Sequence, residues 1–563
     1  MEKNKKKRLP IGISDFKTVI EKDMYYVDKS MFIKDVIDSG QVILITRPRR
    51  FGKTLNQSMM KYFFNIQEEN SELFKNLKIY KDKEIIEEYM NKYPVIYLTF
   101  KDMKALDIQA MMNKMKMELS SLYIEHDYLL NDKILKDVEK NVYNKIMNLD
   151  ENNQLYESSI KKLSEYMYRY YRKKVILIID EYDTAIQQSY LNGYYKEFIM
   201  FMSNLLGSGL KDNKYLEKGV LTGITRVSKE SIFTGVNNLK VSTILDELFN
   251  DKFGMLKEEM EDILKYYNLE YEEKDVMTWY DGYNFGRVGI YNPFSIINLV
   301  DNKGKIKPYW VNTSGNKLIK DLIRKGNVSI KKKIELLLSG ETIESSIEEA
   351  MIYNDLSTEN ESYVWTLFLF SGYLKWVEKV EESIYKLKIP NKETEGFYRK
   401  ILRNILDDKN IDIENILEKL ILGKIKGFKK DFKKLVMGTL SYFDVKGDEP
   451  ERFYHGLILG MIVSLNKKYV VKSNRESGLG RADLLLIPRD KKDKGIVIEF
   501  KKYDEDVDKD LVDSAKRGIK QIEFKKYEEE IKSYGVEEVI KVGIAFEGKE
   551  LEIVSNLENI IDN

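Results

Sequence analysis

Cysteine is absent from the 563-residue chain, and histidine occurs only twice, at His126 and His455. Disulfides, zinc–thiolate sites, iron–sulfur clusters and a cysteine nucleophile are therefore excluded. So are a multi-histidine metal centre and an HExxH protease. Proline is scarce, at 8 residues, which leaves few sharp linker signals. Charge of either sign is not in excess: 93 Lys+Arg face 92 Asp+Glu. That balance gives no global electrostatic case for nucleic acid, so any basic surface must be local. Long apolar runs are missing as well. The stretch Gly456–Leu465 spans about ten residues, where a membrane helix needs about 20. The N-terminus, MEKNKKKRLP, is basic but has no apolar run behind it, unlike a secretory signal. A soluble, cytoplasmic protein with no membrane partner is expected.

Hydrophobic residues make up 43% of the chain, enough for packed cores. At about 100–200 residues per domain, the length suits three or four domains. Residues 1–235 alternate between strand and helix patterns. Val42–Thr46, Val95–Thr99, Val175–Ile179 and Val220–Thr222 are short apolar runs, suited to parallel strands buried on both faces. Helical patterns lie between them, such as Leu55–Ile66 and Ser158–Tyr171. Together they predict a doubly wound parallel α/β sheet. Residues 236–320 look mostly helical, with an aromatic and glycine-rich patch at 279–295. Residues 321–435 look helical and strongly charged. Residues 436–563 change character to helix, strands, helix and a last strand near Val539–Phe546, a separate α/β domain.

The run Thr46-Arg-Pro-Arg-Arg-Phe-Gly-Lys-Thr54 joins a buried strand to a helix. Such a turn aims free N–H groups and the positive end of the helix dipole at an anion. Gly52 would let the backbone approach phosphates, Lys53 would reach the β- and γ-phosphates, and Thr54 would ligate Mg²⁺. Arg49, Arg50 and Phe51 complete the candidate nucleotide loop. Arg47 stands where the G-x-x-x-x-G-K-[ST] pattern has its first glycine. The apolar strand Val175–Ile179 ends in Asp180 and Glu181. Asp180 suits the Mg²⁺ shell, and Glu181 can polarise an attacking water. The alternative is a core strand with a solvated acidic loop. Farther on, Thr222 or Thr225 can sense a γ-phosphate, and Arg226 can serve as a finger in cis or as a surface cap.

A second constellation begins at Gly480-Arg-Ala-Asp483 and continues through Ile496-Val-Ile-Glu-Phe-Lys501. The two segments suit a β-hairpin. Glu499 and Lys501 share one strand face, and Asp483 on the neighbouring strand can reach them. Two carboxylates and a lysine can form a divalent-metal site for phosphodiester hydrolysis. A cross-strand salt-bridge cluster accounts for the same spacing.

The motifs LPIGISDFKTVI, ITRPRRFGKT, PVIYLTFK, LIIDEYD and LTGITRVSKESIFTGVNNL resemble the bacterial AAA-ATPase-like family, which usually ends in a PD-(D/E)XK nuclease-type domain. WYDGYNFG, IYNPFS, WVNTSGN, ERFYHGLILG, SNRESGLGRADLLL, IVIEFKK, QIEFKKY and GIAFEGK fit as well. The resemblance runs nearly end to end, except for about residues 320–435, and RPRRFGKT is that family's usual form of the phosphate loop. It implies a restriction-endonuclease-like domain over 436–563, and with the patterns above the chain divides into an AAA-like ATPase core over 1–235, a helical extension over 236–320, a helical linker over 321–435 and that last domain. It implies that Asp483, Glu499 and Lys501 form the nuclease triad, with Glu451 as a further metal ligand. It also implies that Gln521 and Tyr527 contact the nucleic acid or the metal shell. His455, one helical turn beyond Glu451, faces the same cleft or packs in its helix.

The expected function is thus an ATP- and Mg²⁺-dependent protein coupled to a nuclease, with Mn²⁺ an alternative cation at the second site. Nucleic acid is the expected partner, DNA ahead of RNA, and a homo-oligomer is compatible with the pattern. The competing class is a nucleotide-loaded signalling or scaffold switch whose nuclease-like domain only binds nucleic acid. Defence or mobile-element control rests on the domain pairing alone. In the aromatic patch, Tyr280, Tyr283 and Phe285 would stack bases or pack an interface.

Overall fold

A computed structural model describes residues 6–557, apart from 132, 228–238, 270, 272, 312–315, 352, 358–359, 408–411, 441–457, 459–460, 463–464, 466–467, 478–479 and 548–549. Packing divides the chain into two units. One is Met1–Ser314 with Glu344–Glu393, and the other is Gly315–Ile343 with Thr394–Asn563.

The first unit is built on a five-stranded sheet whose adjacent strands all run parallel. From edge to edge the strands are Val95–Thr99, Val175–Asp180, Leu216–Gly223, Val42–Thr46 and Leu239–Ser242. The central runs are fully buried, as expected for strands covered on both faces. Helices Lys53–Phe64, Ser159–Tyr171 and Tyr195–Leu210 supply covering layers. The strand bearing the phosphate loop and the strand ending in Asp180 are not adjacent. Leu216–Gly223 lies between them, so three strand ends meet at one edge.

The structure differs from the sequence expectation in two places. Residues 236–320 contribute the strand Leu239–Ser242, paired in parallel with Val42–Thr46. Its four residues, LKVS, are too short and mixed to announce a strand; the neighbouring strand supplies the missing hydrogen bonds. Residues 321–435 are not all helical either. The hairpin Lys375–Lys379 with Ile384–Lys388 and the strand Ile343–Ser346 form a three-stranded sheet.

The second unit holds another five-stranded sheet, of mixed direction. Its order is Tyr469–Ser477, Gly480–Pro488, Gly495–Lys502, Val539–Glu547 and Glu550–Ser555. Gly495–Lys502 is antiparallel to Gly480–Pro488 and parallel to Val539–Glu547. Helices Ile413–Ile421 and Ile425–Leu440 share one apolar core with this sheet, through Leu484, Leu486, Ile496 and Ile498. The alternate residues Leu485, Ile487 and Val497 pack with Ile522 of the helix Leu511–Lys525. Period-two alternation thus gives each strand two buried faces.

Candidate functional sites

At the first site the chain leaves Val42–Thr46, turns, and enters the helix Lys53–Phe64 at Gly52. Gly52 adopts φ +88°, and nothing lies within 4 Å of where a Cβ would stand. A left-handed residue is tolerated there as glycine, and the space beside it is open. Arg50 is also left-handed, at φ 68°. The Lys53 ammonium folds back onto the loop and donates to the carbonyls of Arg47 and Pro48, each at 2.9 Å. Burial pulls its pKa down, opposed by the charges of Glu181 and Asp180.

Asp180 is fully buried at the end of its strand. Thr54 Oγ1 donates to its Oδ2 and Thr222 Oγ1 to its Oδ1, both at 2.7 Å. Burial, then the neighbouring Glu181, raise the Asp180 pKa, while the two hydroxyls oppose them. Thr54, Asp180 and Thr222 are thus drawn from three chain segments to one point. Glu181 follows with φ 51°, left-handed for a residue with a side chain, and accepts from Thr184 Oγ1 at 3.2 Å.

Asp183, to which the sequence assigned no role, pins this edge. Its Oδ2 accepts from the backbone N–H groups of Ile224 and Thr225 at 2.8 and 2.9 Å. Tyr182 donates its hydroxyl to the Thr225 carbonyl at 2.7 Å and accepts from the Val227 N–H at 2.9 Å. Arg226 lies in Arg226–Val227, paired with Ala350–Met351. Burial, then the charge of Asp246, raise the pKa of the nearby Glu349, against the pull of Arg226.

Arg47 and Phe51 hold the loop from behind. The Arg47 guanidinium is buried and donates to the carbonyls of Thr46, Ser242, Leu248 and Phe249 and to Ser242 Oγ. It also lies against the rings of Phe253 and Phe285, at 5.5 and 5.1 Å. Phe51, expected in the nucleotide loop, has its side chain fully buried against Tyr283 and Phe285. Only its backbone can face a phosphate. Arg49 donates to Gln187 Oε1 at 2.8 Å, and Arg50 lies 4.1 Å over the ring of Phe294. Trp310 Nε1 donates to the Arg49 carbonyl at 3.2 Å. The aromatic patch is therefore packing: Tyr280, Tyr283 and Phe285 are all buried, so none is available to stack a base. Gly282 and Gly286 turn with positive φ.

At the second site Asp483 and Glu499 stand on antiparallel neighbours. The ladder pairs Leu484 with Ile498, and beyond it Asp483 Oδ2 accepts from the Phe500 N–H at 2.9 Å. Lys501 Nζ lies 3.0 Å from Glu499 Oε1. Gln521, on the helix Leu511–Lys525, donates to the same oxygen, and its amide lies 3.4 Å from the Tyr527 hydroxyl. Glu499 Oε2 is buried and has no hydrogen-bond partner among the described residues. Burial, then the charge of Asp483, push the Glu499 pKa up to about 7, against the pull of Lys501. An orphaned carboxylate oxygen beside a second carboxylate fits a hard divalent cation. Asp483, Glu499, Lys501, Gln521 and Tyr527 are brought together. Glu451 and His455 lie outside the described residues.

A close helix–sheet approach sets this geometry. Gly543 is in register with Glu499, and a Cβ on it would meet the Ala515 carbonyl oxygen at 2.0 Å. Gly518 faces the Glu499 carbonyl at a similarly bare position, with 3.4 Å to a Cβ. Without side chains at these two positions the helix settles close enough for Gln521 to reach Glu499.

Residues 10–233 match the family model described as predicted AAA-ATPase, and residues 449–556 match the PD-(D/E)XK nuclease superfamily. The chain pairs an AAA-ATPase-like domain with a PD-(D/E)XK nuclease superfamily domain. The buried parallel sheet carries the first motif set, and the mixed sheet of the second unit carries the other. An uncharacterized protein from the vnfD 5′ region of Azotobacter chroococcum mcd 1 is 25% identical over 396 residues, covering 69% of each chain. A STAND-type signal transduction ATPase with a tetratricopeptide repeat sensor, from Pyrococcus horikoshii, aligns at 14% identity and a TM-score of 0.23. That alignment covers 77% of this chain and 53% of the other, so the chain spans about half the length of that ATPase. Among the described residues no helix is long and apolar enough to cross a membrane.

Proposed function

We propose that the protein is an ATP-dependent nuclease, in which nucleotide binding at the first site licenses phosphodiester cleavage at the second. The observation that carries this is the presence, in one chain, of two assembled sites. One is Lys53 with the Thr54–Asp180–Thr222 cluster. The other is Asp483 and Glu499 with an orphaned oxygen beside Lys501.

At the first site the donors suit MgATP: hydroxyl and carboxylate oxygens from Thr54 and Asp180, an ammonium, and open space at Gly52. Bound Mg²⁺ would offset the charge of the phosphates and fix their orientation. Lys53 exchanges two backbone carbonyls for phosphate oxygens. Glu181 orients and polarises the attacking water. Thr222, hydrogen-bonded to Asp180, registers whether the γ-phosphate is present. Arg49 and Arg50 flank the loop as further cationic groups, and Arg226 reports from the neighbouring strand end.

At the second site Asp483 and Glu499 would hold Mg²⁺ or Mn²⁺, with Glu451 as a third carboxylate. Such a cation lowers the pKa of bound water and stabilises charge on the phosphate. Lys501 leaves its ion pair with Glu499 and faces the developing negative charge. Gln521 keeps Glu499 oriented, supported by Tyr527, and His455 joins the same cleft. DNA is the preferred substrate class in this account, with RNA the comparison. Defence or mobile-element control is the setting the domain pairing suggests.

The test uses purified full-length wild type, Lys53→Ala and Asp483→Ala with labelled DNA and RNA in Mg²⁺ or Mn²⁺. Asp483→Ala should lose cleavage and keep ATP hydrolysis, and Lys53→Ala should lose both. No cleavage of either nucleic acid by wild type under any cation would reject the nuclease. It would favour a nucleotide-loaded switch that only binds.

A further inference from the structure

The helix that supplies Gln521 has an outer face that the chemistry above leaves unused. Ser514, Ala515, Gly518 and Ile522 are buried against the sheet. On the outer side Lys516, Lys520 and Phe524 follow one another at successive turns, all exposed. They span about 12 Å of helix at ~1.5 Å per residue. Phe524 is 75% exposed, an unusual position for a bare aromatic residue. Lys525 Nζ lies 5.6 Å from its centroid. Lys516 and Lys520 have no ion-pair partner among the described residues. The nearby Glu523 is paired to Lys541 at 3.3 Å.

We infer that Lys516, Lys520 and Phe524 form a tract for unpaired nucleic acid, which lays its phosphates along the two lysines and stacks a base on Phe524. The inference rests on the nuclease reading, since the tract lies on the helix whose Gln521 touches Glu499. The partner follows from the chemistry. Free ammonium groups attract phosphates, and an exposed ring offers a π-face to a base of any sequence. A duplex keeps the faces of its bases stacked on one another, so only a single strand or a frayed end can give Phe524 a base. The substrate class is therefore single-stranded or end-frayed nucleic acid, with little sequence preference on this tract.

The experiment measures binding of fluorescein-labelled single-stranded and hairpin-duplex oligonucleotides to full-length protein in EDTA, where no cleavage intrudes. Phe524→Ala should weaken single-strand binding at least about five-fold, the lower end of one base–aromatic stack. Duplex affinity should change little, and Phe524→Trp should restore the single strand. Lys516→Gln with Lys520→Gln should flatten the salt dependence by about 0.7 per lost phosphate contact. Equal losses for single strand and duplex, or no change with Phe524→Ala, would overturn the tract. If Phe524→Ala instead lowered the mass in solution and left oligonucleotide affinity intact, the ring would belong to a contact between copies, which also overturns it. Cleavage by wild type with unchanged Phe524→Ala binding would reject the tract alone. No binding of any oligonucleotide, with no cleavage, would reject the nuclease as well.

Discussion

Replacing Arg47 by glycine would make the phosphate loop conform to the G-x-x-x-x-G-K-[ST] pattern, and should nevertheless damage it. Arg47 donates to four carbonyls and one hydroxyl from a fully buried position. Leu248 and Phe249 each keep a donor after the change, because Ser242 Oγ reaches the first carbonyl at 2.7 Å and the Lys252 N–H reaches the second at 3.3 Å. The carbonyls of Thr46 and Ser242 lose the Arg47 donor. An unmet buried acceptor costs about 1–3 kcal/mol, so for two of them with partial rehydration the loss is about 2–4 kcal/mol. Glycine's extra backbone freedom adds roughly 0.5–1 kcal/mol. Against a typical domain stability of about 5–15 kcal/mol this is a large fraction. Burial pulls the Arg47 pKa down to about 9, so the group stays cationic at neutral pH, and Asp246 nearby favours that charge. Arg47→Lys should fall between the two, since an ammonium cannot span five acceptors. The assay is urea denaturation followed by tryptophan fluorescence. Trp279, Trp310, Trp365 and Trp376, the 4 tryptophans of the chain, all lie in the first unit and report on it. An Arg47→Gly protein with an unchanged midpoint and unchanged ATP affinity would refute the buried-anchor account.

Three further outcomes follow from the geometry. Trp310→Phe removes the donor to the Arg49 carbonyl and should weaken ATP binding by about five-fold, at ~1 kcal/mol per hydrogen bond; unaltered affinity in a nucleotide-binding titration contradicts it. Gly543→Val forces the helix Leu511–Lys525 away from Glu499, should cost about 1–3 kcal/mol of second-unit stability, and should cut cleavage while ATP hydrolysis persists; equal loss of both activities contradicts it. With the Glu499 pKa raised to about 7, a cation must compete with a proton at lower pH. The half-saturating Mg²⁺ or Mn²⁺ concentration for cleavage should therefore rise by up to about ten-fold per pH unit below about 7 and level off above it. A flat dependence between about pH 5.5 and about pH 8.5 contradicts the assignment of Glu499 as a ligand.

Much of both sites was legible because their strands are written locally. VILIT and VIYLT are apolar and rich in β-branched residues, and their observed ends coincide with the pattern. The carboxylates at the end of VILII and the alternation in IVIEFK placed Asp180, Glu499 and Lys501 for the same reason. What escaped depends on contacts distant in sequence. The strand Leu239–Ser242 exists because Val42–Thr46 pairs with it. Asp183 gains its role from the N–H groups of Ile224 and Thr225, about forty residues away. Phe51 looked like part of a ligand loop because it sits inside the RPRRFGKT pattern. Its ring was claimed instead by Tyr283 and Phe285, which a linear pattern does not bring near it. Gly543 carried a sequence signal, a glycine inside a strand pattern, whose cause was the approach of the Ala515 carbonyl.

In the proposed function the first site governs the second. Its most direct test is the rate of nucleic-acid cleavage by the full-length protein in Mg²⁺ with ATP, with ADP and with no nucleotide, compared between wild type and Lys53→Ala. Wild type should cleave only, or much faster, with ATP, and Lys53→Ala should stay at the nucleotide-free rate throughout. Full-rate cleavage by Lys53→Ala without ATP would contradict it.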